Sequence, residues 1–249
     1  LSAMRDRFAG TLLTPCPLCG DSAPCGQLCA GCAQDVRHSM CHHQWRCPRC
    51  ALALPANGAC PDCAGRPASL EKVIAAFDYV PPADSLILRY KNAGQFHLAT
   101  CFAALALAAI KDHSPDCPRP PWPVGTPLIP IPGSRASLQR RGFNPASEFA
   151  VQLGRRLGSP VLQTTLYREP DSLKQSTLTR QQRQANTAHL YYCARNMSEP
   201  CALLVDDVLT TGSTLHAAAT ALGAAGVRRV YAVVIARTPM EERPDRHLA

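Results

Sequence analysis

The sequence predicts an α/β fold, a parallel sheet with helices on both faces, preceded by a small module of two zinc ribbons. Three features predict it. Ten of the 14 cysteines fall between Cys16 and Cys63, eight of them as Cys-x-x-Cys pairs. From Val73 onward, short apolar runs alternate with helical patterns. Residues 203 to 214, LLVDDVLTTGST, then pass from an apolar run through two carboxylates and a hydroxyl-rich bend into an Ala-rich helical pattern. A chain of 249 residues can bury one large core and a small one, and 46% hydrophobic with 18% charged residues suits a folded protein. The expected division is 1–68 for the cysteine module and 69–249 for the sheet domain, joined near Gly65 to Ser69.

In the cysteine module the pairs are Cys16/Cys19, Cys29/Cys32, Cys47/Cys50 and Cys60/Cys63, and the second C-x2-C-x9-C-x2-C unit follows the first by 31 residues. Two thiolates on one tight knuckle cover one edge of a tetrahedron, and a second knuckle supplies the other, which is the donor set of structural Zn2+. One ion is assigned to Cys16, Cys19, Cys29 and Cys32, the other to Cys47, Cys50, Cys60 and Cys63. Disulfides and an Fe–S cluster are the rival readings. Cys25 and Cys41 have no counterpart in the repeat, which places Ala56 and Gly10 there, and are supernumerary; His42 and His43 are spare ligands or linker residues. So short a segment takes its folding free energy from metal. Its role is either purely structural or to bind single-stranded nucleic acid or a protein, with Trp45, Arg46 and Arg49 offering a stacking ring and two cations.

Beyond the linker, Val73 to Tyr79 reads as a strand, Asp84 to Asn92 as a helix stopped at Gly94, and Phe96 to Lys111 as a long apolar helix. Six prolines between Ser114 and Pro127 require an extended loop. The run Pro127 to Pro132 is a strand entering a turn at Gly133-Ser134-Arg135. Asn144 then caps a helix with Pro145 at its first position and Glu148 in its first turn.

The 203–214 stretch carries the chemistry. Amides left unpaired at a helix N-terminus, backed by the helix dipole, suit a phosphate. Gly212 permits close approach, and Thr210, Thr211, Ser213 and Thr214 offer hydroxyls. Asp206 and Asp207 at a strand's carboxyl end suit two vicinal hydroxyls. A phosphate beside a diol is a sugar phosphate. A buried strand followed by a capped helix, with no ligand, is the competing reading.

The stretch resembles the 5-phosphoribosyl 1-pyrophosphate (PRPP) motif of type I phosphoribosyltransferases. Taken with the double knuckle, Leu88 to Lys91 (LRYK), Ile129-Pro-Ile-Pro132 and Arg140-Arg-Gly-Phe-Asn144, the chain is similar to the ComF family, over most of its length. The family usually has Gln where this chain has Pro145. The resemblance implies a Rossmann-type, phosphoribosyltransferase-like sheet. It implies that Asp206 and Asp207 hold the ribose hydroxyls, that Thr210, Thr211, Gly212, Ser213 and Thr214 cradle the 5′-phosphate, and that the turn at Pro132 and Gly133, with Arg140 and Arg141, receives pyrophosphate together with Mg2+. The segment from Ser172 to Asn186, with Gln175, Leu178 and Arg183, fits a lid. The implied partners are PRPP, single-stranded DNA and DNA-uptake proteins, and the implied function, linked to DNA uptake and natural transformation, is either phosphoribosyl transfer to an unidentified acceptor or a catalytically silent role as PRPP sensor, single-stranded-DNA binder or scaffold.

Charge agrees with an anionic ligand. Between Arg135 and Arg195 stand nine arginines and Lys174 against Glu148, Glu169 and Asp171, which accounts for seven of the formal +8. Four thiolates around one Zn2+ carry about −2, so the cysteine module is not the basic part. The longest apolar run, Leu98 to Ile110, is too short to span a bilayer. With no secretory pattern before the first cysteines, the expected compartment is the cytoplasm.

Overall fold

The computed structural model describes residues 13–41, 45–55, 58–113, 119–169 and 190–240. The cysteine-rich part opens with a small antiparallel ladder, β1 (Leu13–Pro15) and β2 (Ser22–Pro24), and continues in α1 (Ala30–Cys41). The sheet domain follows as β3 (Lys72–Asp78), α2 (Ala83–Asn92), α3 (Leu98–Asp112), β4 (Leu128–Pro130), α4 (Arg135–Arg141), α5 (Pro145–Leu157), β5 (Leu166–Arg168), β6 (Tyr191–Cys193), β7 (Cys201–Leu209), α6 (Ser213–Ala224) and β8 (Arg229–Arg237). The strands β3-β8-β7-β4 form one parallel sheet in that order, with β5 and β6 pairing separately as an antiparallel ladder.

Both faces of the parallel sheet are covered, which is why β7 and β8 read as unbroken apolar runs rather than alternating ones. Leu203, Val205, Val233 and Ile235 point to one face, against Phe102, Leu105 and Ile110 of α3 and Phe149 and Leu153 of α5. Ala202, Leu204, Ala232 and Val234 point to the other, against Leu215, Ala218 and Leu222 of α6. The two cysteine units divide between the faces. Cys16, Leu28 and Val36 join the α3/α5 side, and Cys47, Cys50, Leu52 and Cys63 join the α6 side.

The predicted strand and helices between residues 73 and 111 stand within two residues of their expected limits. Several elements were not expected: the short ladders β1–β2 and β5–β6, α1, the short helix α4 where a turn was read, and β8, which occupies an interior position of the sheet. α4 is made by its caps. Ser134 accepts from the Ser137 amide at 3.1 Å, and Gly142 closes the helix at φ 76° in the left-handed region.

One close approach fixes α5 on the sheet. A Cβ added at Gly154 would lie 2.6 Å from Val161 Cγ2 and 3.0 Å from the Ser159 carbonyl oxygen, a backbone atom that cannot rotate away. Gly154→Ala should therefore lower stability by about 1–3 kcal/mol through overpacking. Urea denaturation checks this, and an unchanged midpoint would show that α5 shifts freely.

Candidate functional site

β7 carries Asp206 and Asp207 in its last turns toward the carboxyl edge, where open parallel sheets bind ligands. The Asp206 Oδ1 accepts from the Asp207 amide at 2.8 Å, and the Asp207 Oδ1 from the Val208 amide at 2.6 Å, so each carboxylate is held by its successor's backbone. Lys91 Nζ from the end of α2 lies 3.0 Å from Asp207 Oδ2. Burial, and then the charge of Asp207, pushes the Asp206 carboxyl up to about 8, against smaller opposing effects of the Asp207 amide and Lys91. A carboxyl raised this far holds a proton near neutrality. After β7 the bend places Gly212 at φ 80°, a conformation costly for any side chain, and α6 starts at Ser213. Thr211 Oγ1 lies 3.1 Å from Ser213 Oγ, and Thr210 and Thr211 are exposed.

The turn after β4 faces the acid pair because neighbouring residues lock it. The Ile131 amide donates to the Val205 carbonyl at 2.9 Å. Asn144 donates from Nδ2 to the Ile131 carbonyl at 2.9 Å and accepts from the Ala146 amide at 3.2 Å, so one side chain both ties down the turn and caps α5. Phe143 packs edge-on against Phe96 at 4.6 Å and Tyr90 at 5.7 Å. The Tyr90 hydroxyl, fully buried, donates to the Pro145 carbonyl at 2.8 Å. Burial raises the Tyr90 phenol, which stays a neutral donor. Pro145 thus serves as first helical residue and as the anchor of α2, which sets Lys91 over the acid pair.

A cavity of about 220 Å³ opens between these parts. Pro132, Gly133, Arg141, Asp206, Asp207 and Thr214 line it, together with Lys91 and Arg168. Thr210, Thr211, Gly212 and Ser213 continue from its edge without lining it, and Arg140 is exposed outside it. Arg141 Nε is buried with no hydrogen-bond partner among the described residues. Lys91, Arg168 and Tyr191 were not singled out as site residues from sequence. Lys91 lay in the LRYK segment without an assigned role, and only the tertiary fold brings it to β7. The Ser172–Asn186 lid lies outside the described residues.

The eight paired cysteines gather into the two expected groups, each with its four sulfurs within 4.8 Å of one another. Sulfur separations are 3.6 Å for Cys19–Cys29, 3.7 Å for Cys47–Cys63 and 3.5 Å for Cys50–Cys60. These are close to the edge of about 3.8 Å of a tetrahedron with 2.3 Å arms, and far beyond a disulfide bond. Each group could hold one zinc ion. Cys25 is exposed and belongs to neither; the side chain of Cys41 and residues His42, His43, Ala56 and Gly10 lie outside the described residues.

The stacking site read around Trp45 is only partly there. Trp45 is 86% exposed, but the Arg46 guanidinium is engaged by both Asp78 carboxylate oxygens, at 2.9 and 2.7 Å, and by the Ala51 and Ser39 carbonyls. Arg49 donates to the Arg66 and Pro67 carbonyls. Arg46 thus ties the module to β3, and Arg49 holds the chain at residues 66 and 67.

Residues 136–249 match the phosphoribosyl transferase domain family. Competence protein F of Haemophilus influenzae is 28% identical over 218 residues, covering 84% of this chain and 90% of its own. The DNA utilization protein YhgH of Salmonella typhi is 28% identical, covering 85% and 90%, and competence protein ComFC of Bacillus subtilis is 25% identical, covering 80% and 79%. The chain is thus similar to ComF-type proteins over most of its length and to the phosphoribosyl transferase domain in its second part. No helix among the described residues is long and apolar enough to cross a membrane.

Proposed function

We propose that this chain is a ComF-type protein, binds PRPP in the cavity at the carboxyl edge of β7 and works in the cytoplasm in the handling of incoming DNA. Asp206 and Asp207 take the ribose 2′- and 3′-hydroxyls. The amides and hydroxyls of Thr210, Thr211, Gly212, Ser213 and Thr214 take the 5′-phosphate. Pro132 and Gly133, with Arg140 and Arg141, receive the pyrophosphate. The observation that carries this reading is one cavity onto which the acid pair, the Pro132 turn and Arg141, whose buried Nε has no hydrogen-bond partner among the described residues, all open. Oxygen donors alone on the acid pair suit a hard cation, and Mg2+ arriving with pyrophosphate supplies charge neutralisation to the leaving group. Lys91 neutralises Asp207 until that cation replaces it. If transfer occurs, pyrophosphate leaves C1 of the ribose as an acceptor nitrogen attacks, and the ionised acid pair stabilises the positive charge developing on the ring. A pyrophosphate-release screen with Mg2+-PRPP against nucleobases and oligonucleotides tests transfer: release with one acceptor supports it.

A second reading keeps the PRPP site as a sensor and gives the protein a binding role on single-stranded DNA. The names of the relatives, competence and DNA utilization proteins, favour it, as does the local excess of arginine. PRPP binding without pyrophosphate release, together with salt-dependent binding of single strands, selects this reading.

The Asp206 carboxyl gives a pH prediction. Its folded value of about 8 lies above its ordinary 3.8, so near pH 7 the free protein carries a proton there that a bound cation expels. Mg2+-PRPP affinity should rise from pH 6 to 8 and level off above. Calorimetry at pH 7 in buffers of different ionisation enthalpy should register proton release. No proton release would contradict a cation at Asp206.

A further inference from the structure

The loop assigned to the 5′-phosphate is held from behind by the second cysteine unit, through a buried arginine far from the cavity. Arg237 closes β8 with no exposed surface. Its Nε donates to the Cys50 carbonyl at 2.7 Å, and its Nη2 to Asp62 Oδ2 at 2.7 Å, Asp62 lying between the ligands Cys60 and Cys63. Its Nη1 donates to the Leu209 carbonyl at 3.0 Å, to the Thr238 carbonyl at 2.9 Å and to the Thr210 carbonyl. The next carbonyl, Thr211, accepts from Arg66 Nη1 at 2.8 Å, and the Ser69 hydroxyl meets His216 Nδ1 at 2.6 Å at the start of α6. Residues 50 to 69 therefore reach carbonyl 211 and the first turn of the helix directly, through Arg66 and Ser69, and carbonyls 209 and 210 through Arg237.

Peptide planarity makes this consequential. In a trans peptide the C=O and the following N–H point in opposite directions. Drawing the carbonyls of Leu209, Thr210 and Thr211 toward two guanidinium groups turns the amides of Thr210, Thr211 and Gly212 the other way. None of these three amides donates to a backbone carbonyl in the turns and loops of the described residues. A row of amides fixed before the ligand arrives binds an anion without reorganising. Burying a guanidinium is costly unless its fork is satisfied, and here every arm has an acceptor, two of them supplied by the cysteine unit.

We infer that Arg237, assisted by Arg66, is the positioning residue of the phosphate loop, and that metal at Cys47, Cys50, Cys60 and Cys63 and phosphate at the loop strengthen each other's binding. This rests on the loop being the 5′-phosphate site. It adds that the second cysteine unit is part of the ligand site's support and that the two sites are thermodynamically linked.

The test separates the two halves of PRPP on the zinc-loaded, full-length protein. Ribose 5-phosphate probes the phosphate loop, and Mg2+-pyrophosphate probes the turn at Pro132. Arg66→Gln, at a half-buried position outside the metal ligands, should weaken ribose 5-phosphate by about threefold to tenfold, as expected for one lost hydrogen bond. Arg237→Lys, which keeps the charge but loses the fork, should weaken it by more than about tenfold. Both should leave pyrophosphate within about twofold and zinc content unchanged. In the wild type, saturating ribose 5-phosphate should raise the affinity of one of two zinc equivalents in a chelator competition, because coupling is reciprocal; this arm stands even if Arg237→Lys fails to fold. Equal loss of both ligands in the variants, unchanged ribose 5-phosphate affinity, or a zinc affinity blind to the ligand overturns the inference. A wild type that binds pyrophosphate but no ribose 5-phosphate overturns the phosphate-loop assignment itself, and the inference with it.

Discussion

Cys47→Ser combined with Cys50→Ser should cost one zinc equivalent and lower the melting temperature of the full-length protein by more than about 10 °C. Structural zinc contributes on the order of 10–16 kcal/mol of apparent binding free energy, comparable with or above the whole folding free energy of an ordinary domain, about 5–15 kcal/mol. The loss would not stay local. Cys47, Cys50 and Cys63 are buried in the same apolar cluster as Leu204, Val234 and Leu222, so collapse of this unit uncovers the α6 face of the sheet. It also removes the Cys50 carbonyl and Asp62 from a guanidinium that has no exposed surface. At roughly 2–4 °C per kcal/mol for a chain of this size, even a partial loss exceeds 10 °C. Scanning calorimetry with metal analysis reads both quantities. A variant that holds one zinc fewer yet melts with the wild type would show that the unit folds without metal.

Asp206→Asn with Asp207→Asn should reduce Mg2+-PRPP affinity by at least about 100-fold. Hydrogen bonds to charged groups contribute about 1.5–3 kcal/mol each, and the double change removes two ionised acceptors and the seat of the cation together. The fold should tolerate it. Asn keeps an acceptor oxygen for the Asp207 and Val208 amides that now bond the carboxylates, and removing the half-buried Asp206 acid relieves a group held above its ordinary range. Lys91 loses its partner, but it is a lysine at the end of α2 that can reach solvent. Titration calorimetry at pH 8 with a matched melting curve is the check. Unchanged affinity would remove the acid pair from the ligand site.

The parts of this molecule readable from sequence are those whose determinants are close together in the chain. The Cys-x-x-Cys spacing gives the grouping of sulfurs because each knuckle is local, and the repeat pairs knuckles without ambiguity. The bend after β7 reads clearly because strand exit, glycine and helix start fall within twelve residues. Asn144 and Pro145 mark the start of α5 for the same reason. The unexpected elements lack such marks. α4 buries none of its seven residues, so no apolar period announces it. β5 and β6 are three residues each and lie more than twenty residues apart, which leaves their pairing to tertiary structure. β8 is buried on both faces and carries no alternation. The site shows the same divide. Asp206, Asp207 and the Pro132 turn are legible, whereas Lys91 reaches Asp207 across the fold, and Arg237 meets Asp62 across 175 residues of sequence. Arg46 and Arg49 illustrate the converse: cations beside an aromatic ring resemble a nucleic-acid surface until their carbonyl and carboxylate partners are known.

The decisive measurement is a crystal structure of the protein soaked in Mg2+-PRPP. Density should place the ribose 2′- and 3′-oxygens within about 2.6–3.2 Å of the Asp206 and Asp207 carboxylates, the 5′-phosphate on the amides between Thr210 and Thr214, and the pyrophosphate at Gly133 beside Arg141. An ordered, intact protein with nothing bound between β7 and the Pro132 turn at saturating ligand would contradict it.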